Sequence, residues 1–175
     1  MVGFEITFVF TPTFFHKAIT ERKITQTFYK KKATLKEEHL PSLIDHTALK
    51  ANTNKKDIGK LCEEAKKHNF YAICVPPYFV QQASMLLKDS KVKVSTVIGF
   101  PMGYSNTPSK VEEIKRAIDE GIDEVDVVIN VAAVKDGNWN FVKNDIDSTT
   151  RAAHLKGKVV KIILETTLLT SEETE

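Results

Sequence analysis

The chain has 175 residues, 42% hydrophobic and 27% charged, with a formal net charge of +2. That is the composition of one soluble globular domain able to bury a sizeable core, and near-neutral charge with lysines spread over helical patterns excludes a nucleic-acid surface. No apolar run approaches the roughly 20 residues that span a bilayer, so no membrane partner is expected.

Residues 1–33 differ from the rest. They hold six of the ten Phe, several bases including Lys30-Lys31-Lys32, and only Glu5 and Glu21 as acids. Low acid content resembles an organelle transit segment, whereas Glu5 and the missing small-residue cleavage site argue against a secretory signal. The readings are an irregular extension, a targeting segment or a partner-binding arm, ahead of a domain over 34–175.

A strand-helix alternation follows. Thr34-Leu-Lys-Glu37 has the spacing of a capping box and opens a short helix that Pro41 limits. Strands are predicted at Leu43–Thr47, Ala72–Val75, Val92–Phe100, Val125–Val131 and Val159–Thr166. The first intervening helix carries Ile58, Leu61, Cys62 and Ala65 at helical spacing after the cap candidate Thr53, and ends near Asn69. Val80, Ala83 and Leu87 mark the second. The third is capped by Thr107, begins with Pro108, buries Val111, Ile114, Ala117 and Ile118, and stops at Gly121. The fourth runs from about Phe141 to Leu155 before Gly157. Near-continuous apolar strands joined by helices imply a parallel sheet, either doubly wound or a (β/α)8 barrel. No glycine-rich nucleotide loop follows any strand, which weakens the first. Polar residues within or at the C-terminal ends of several strands favour the second. Cys62 and Cys74 have neither CxxC spacing nor a nearby His pair, so neither a disulfide framework nor a metal site is expected, and a reducing, cytoplasmic compartment is the default.

Two apolar strands each spend a central position on a charge: Glu124-Val-Asp126-Val-Val-Ile-Asn130 and Lys158-Val-Val-Lys161-Ile-Ile-Leu-Glu165-Thr. By strand alternation Asp126, Val128 and Asn130 share one face, as do Lys161, Ile163 and Glu165. A lysine in an apolar strand is either a nucleophile whose neutral form burial favours or a side chain snorkelling from the strand end, and Lys158 suits the second role better. Asp126 is either its proton-transfer partner or a structural ion pair.

Asp45-His46-Thr47, Cys74, Phe100-Pro-Met-Gly103 and these two strands occur in the order, and in the segments LIDHTALK, ICVPP, VIGFPMG, EVDVVIN and VKIILET, that resemble deoxyribose-phosphate aldolase. The resemblance covers roughly Leu40 to Glu173. It implies a (β/α)8 barrel that reversibly joins acetaldehyde to the phosphorylated sugar fragment glyceraldehyde 3-phosphate through a lysine Schiff base, without cofactor or metal. By resemblance Lys161 forms the Schiff base and Asp126 relays protons. Asp45 and Thr47 border the substrate end, Cys74 lies near the reactive aldehyde, and Asn130 is a weaker candidate for substrate contact; homo-oligomers fit this family. Gly99 to Gly103 reads as a strand exit or a plain turn.

The departure is at the C-terminus. Thr170-Ser-Glu-Glu173 should open a helix, and about five of eight βα units precede it. The expected remainder, with a second lysine that lowers the pKa of the first and the loops that hold phosphate, lies past residue 175. The alternative expectation is therefore an inactive fragment, or one acting by association alone.

Overall fold

The computed structural model describes residues 7–10 and 40–174. Its sheet has six strands: β1 (Thr7–Phe10), β2 (Asp45–Thr47), β3 (Ala72–Val75), β4 (Lys93–Ile98), β5 (Glu124–Val128) and β6 (Val159–Ile163). Strands β2 to β6 are parallel, and each pairs with the next in chain order. A doubly wound sheet reverses its strand order midway, whereas this one advances in a single direction, as a barrel wall does. The fold is of the (β/α) barrel type, represented by five parallel strands among the described residues.

Alternation along the strands separates two faces. Ile73, Val75, Val94, Ile98, Val125, Val127, Val160 and Ile162 point outward into the main core. There they meet α1 (Lys55–His68), α2 (Val80–Leu87), α3 (Thr107–Asp119) and α5 (Trp139–His154). Cys74, Val97, Val128 and Ile163 form a smaller apolar layer on the opposite, concave face. Burying an aliphatic side chain of this size contributes about 1.5–3 kcal/mol, so the outward set holds the helices on.

Helix ends follow local chemistry. Asn54, one residue past the expected Thr53, caps α1 by accepting the Lys56 N–H, while the Asp57 carboxylate accepts the Asn54 N–H in return. The helix ends at Asn69 in a left-handed conformation, φ 55°. At α3 the cap is Asn106, not Thr107, because the Thr107 hydroxyl is taken by Asp145 at 2.7 Å. The expected fourth helix begins at Trp139 and is preceded by a separate short helix, α4 (Val131–Lys135). Gly137, φ 65°, makes the turn between them. Thr170 and Glu173 do form the reciprocal hydrogen bonds of a capping box, opening α6 (Ser171–Thr174). The helix expected from Thr34 lies outside the described residues. The expected strand Leu43–Thr47 is shorter, because a 3-10 turn occupies Pro41–Leu43.

Two features were not expected. Thr7–Phe10, within the segment read as irregular, pair antiparallel with β6 and set Val9 opposite Lys161. Lys110, on α3, is fully buried: its Nζ donates to Asp145 Oδ2 at 2.6 Å and to the Val128 carbonyl at 2.9 Å. This pair ties α3 and α5 to the C-terminal end of β5.

Candidate active site

Register brings the two charged strands together. Asp126 on β5 lies opposite Lys161 on β6, and both point to the concave face because their neighbours Val125, Val127, Val160 and Ile162 point outward. Lys161 Nζ is 2.9 Å from Asp126 Oδ1 and 3.4 Å from Glu124 Oε2, and it donates a hydrogen bond to Asp45 Oδ2. Lys161 is 6% exposed and Asp126 9%. Ser95 on β4 donates to Asp126 Oδ1 at 3.1 Å, and the Cys74 thiol approaches Asp126 Oδ2 at 3.6 Å. Tyr71 donates its phenol proton to Glu124 Oε1. One ammonium therefore faces three carboxylates among the described residues.

The charge balance decides which form of Lys161 prevails. Burial does press the Lys161 amine toward its neutral form, but Asp126 and Asp45 oppose it and hold the ammonium well above the ordinary lysine range. Burial raises the Asp126 carboxyl, with Asp45 adding to that and Lys161 and Ser95 working against it. The two shifts differ in origin: neighbouring carboxylates hold the proton on Lys161, whereas loss of water around the carboxyl is the main reason it stays on Asp126. The Cys74 thiol is also pushed far up, by burial first and by Asp126 next, so it is no thiolate nucleophile at neutral pH.

The remaining candidates fall in different places. Asp45 is half-buried at the start of β2 and touches Lys161. Thr47 is exposed, and its hydroxyl turns back to the Asp45 carbonyl at 2.9 Å. Asn130 caps α4, its Oδ1 accepting the Ala133 N–H at 3.1 Å. Glu165 lies past the end of β6 with φ 54°, so the strand alternation that placed it beside Lys161 stops at Ile163. Lys158 precedes β6 and is half-buried, outside the cluster. The Gly99–Gly103 segment is a tight strand exit: a Cβ at Gly103, φ 68°, would lie 1.7 Å from the Ile129 carbonyl oxygen. Glu124, Tyr71 and Ser95 had been assigned no role. Glu124 shares the parity of Asp126 two residues earlier, which was a usable signal; Tyr71 and Ser95 carried none.

On the concave face Glu124 opens β5, Asp126 and Lys161 sit mid-strand level with Val97, and Val128 and Ile163 lie at the strand ends. A cavity of about 260 Å³ lined by Ser42, Leu43, Asp45, Tyr71, Glu124 and Lys161 opens at the N-terminal side. A larger groove, about 730 Å³, runs along α5 past Trp139 and Val142 and includes none of the cluster.

A lysine and an acid paired across adjacent inner strands of a barrel wall are placed where an amine nucleophile and a proton-transfer group could act together. Residues 41–174 match the model of the DeoC/LacD family aldolases, and the chain belongs to that family. It is 51% identical over 132 residues to a deoxyribose-phosphate aldolase of Thermococcus gammatolerans, covering 74% of this chain and 59% of that one. A solved structure of a deoxyribose-phosphate aldolase from Coccidioides immitis, described there as putative, superposes with a TM-score of 0.76 at 37% identity, covering 79% of this chain and 54% of the other. A tetrameric deoxyribose phosphate aldolase from Aeropyrum pernix superposes with a TM-score of 0.71 at 29% identity, over 78% and 56%. The chain thus spans somewhat under two thirds of the length of the relatives it matches.

Proposed function

We propose that this chain supplies the nucleophile and proton relay of an aldolase that reversibly cleaves 2-deoxyribose 5-phosphate to acetaldehyde and glyceraldehyde 3-phosphate. The observation that carries this reading is the 2.9 Å approach of Lys161 Nζ to Asp126 on the neighbouring strand. Neutral Lys161 adds to the sugar aldehyde, and Asp126 passes a proton to the departing hydroxyl, so that water leaves as the imine forms. The carbon–carbon bond next to the imine then breaks: the 3-hydroxyl proton is lost, glyceraldehyde 3-phosphate departs, and its electron pair remains as an enamine. Protonation of that enamine and addition of water release acetaldehyde and regenerate the amine. Among the described residues the carboxylates outweigh the amine, so the reaction needs a further cation beside them to free the nucleophile. Asp45 and Cys74, beside the amine and the relay acid, are the substrate-facing candidates, with Thr47 and Asn130 farther out. Self-association, as in the tetrameric relative, and a cytoplasmic location belong to the same reading; among the described residues no helix is long and apolar enough to cross a membrane.

Acetaldehyde trapping with borohydride, followed by peptide mapping, tests the assignment. Label is expected on Lys161, scarce at neutral pH and rising in alkali; label on Lys158 instead would overturn it. In a complete barrel containing these residues, Asp126→Asn should lower turnover about 10²–10⁴-fold. The second reading, a catalytically silent member of the family acting by association, is favoured by the carboxylate surplus that holds Lys161 as ammonium. It predicts no Lys161 label at any pH.

A further inference from the structure

Glu124 is 3% exposed, a degree of burial that a carboxylate adopts only with partners. Its two oxygens divide their work: Oε1 accepts the Tyr71 phenol proton and Oε2 faces Lys161 Nζ at 3.4 Å. Tyr71 is 42% exposed, yet its hydroxyl is committed inward, and that hydrogen bond to Glu124 is the leading reason its phenol is pushed up to about 12. Both residues line the cavity on the N-terminal side, so Lys161 meets solvent there through a rim of Asp45, Glu124 and Tyr71. Nothing in the imine chemistry uses Glu124, because Asp126 already supplies the proton relay.

We propose that Glu124, held by the Tyr71 hydroxyl, is a positioning residue that draws the Lys161 amine toward the N-terminal end of the strands, away from Val128 and Ile163 at their C-terminal ends. The inference rests on the reading of Lys161 as the reactive amine. It has a direct consequence for that amine: attack on a carbonyl requires Lys161 to leave a resting place among Asp45, Asp126 and Glu124, and Glu124 adds to the cost of leaving. The groups facing Lys161 are Asp45 from β2, Tyr71 and Cys74 from the β3 segment, Ser95 from β4, and Glu124 and Asp126 from β5. Strand β1, which pairs with β6 on its other side, has no titratable side chain in its sequence.

The test is the pH profile of Lys161 acylation by acetic anhydride in the 175-residue chain, scored by peptide mass spectrometry with exposed Lys88 and Lys91 as references. Glu124→Gln keeps the shape and removes the charge, so the Lys161 midpoint should fall by about one pH unit while the references stay put. An unmoved midpoint in folded Glu124→Gln protein would refute the proposal. Should that variant fail to fold, Tyr71→Phe decides by the same readout: releasing Glu124 from its hydroxyl partner should lower the Lys161 midpoint, and an unmoved midpoint refutes the proposal. The readout does not involve acetaldehyde, so loss of the aldolase reading would show only as absent imine label, with the acylation profile unchanged.

Discussion

Among the described residues two lysines are buried, and the fold treats them oppositely. Lys110 meets one carboxylate, Asp145, and one carbonyl, and Asp145 takes a further hydroxyl from Thr107, so charge and hydrogen bonds are matched. Lys161 meets three carboxylates, one of them shared with Ser95 and Cys74 and another with Tyr71. A matched buried pair locks helices to a strand and leaves nothing for chemistry. A surplus of acid around a lone amine is unstable by itself, and sites where charge is held out of balance are where proton transfer is done. Burial of a lysine therefore does not mark function; the imbalance around it does.

The contrast is sharpest under one substitution made twice. Asp145→Asn leaves the Lys110 ammonium buried without its counter-charge and should cost about 3–5 kcal/mol in urea unfolding. Lys161→Met is next in size. It strands three carboxylates together, and the loss should shrink in acid. Carboxyls whose folded values are raised, as that of Asp126 already is, favour the folded state below the ordinary carboxylate pKa of about 4 and cease to do so as pH rises through the raised value. A stability deficit that grew on acidification would contradict the surplus. Asp126→Asn should have the smallest effect, under about 1 kcal/mol at neutral pH, because Asp45 and Glu124 still neutralise Lys161 and a desolvated charge is removed. If Asp126→Asn costs as much as Asp145→Asn, the two lysines are equivalent and the comparison collapses.

Much of this was legible in the chain and some was not, for identifiable reasons. Strand alternation placed Lys161 and Asp126 on one face because both sit in regular β structure, and it failed for Glu165 where the backbone turns left-handed. Lys110 escaped notice beside Val111, although its spacing to Ile114 and Ala117 is that of the buried stripe of α3. Periodicity reveals the burial of Lys161 but not which carboxylates converge on it from strands far apart in sequence. Asp45, Glu124 and Asp126 come from two strands, and only the assembled sheet counts them together.

Strand β1 has a consequence in time as well as in space. Strands β2 to β6 can pair in the order in which the chain is made, each closing a loop of one or two helices. Strand β1 must instead wait for β6, which lies about 150 residues downstream. Closing so long a loop is entropically slow relative to the local steps. The Thr7–Phe10 backbone should thus be the final part of the sheet to gain protection when refolding is followed by pulsed hydrogen exchange. Until then a short segment with high strand propensity stays unpaired on the nascent chain, so any holding factor that delays its pairing would act on the part of the sheet that is latest to fold.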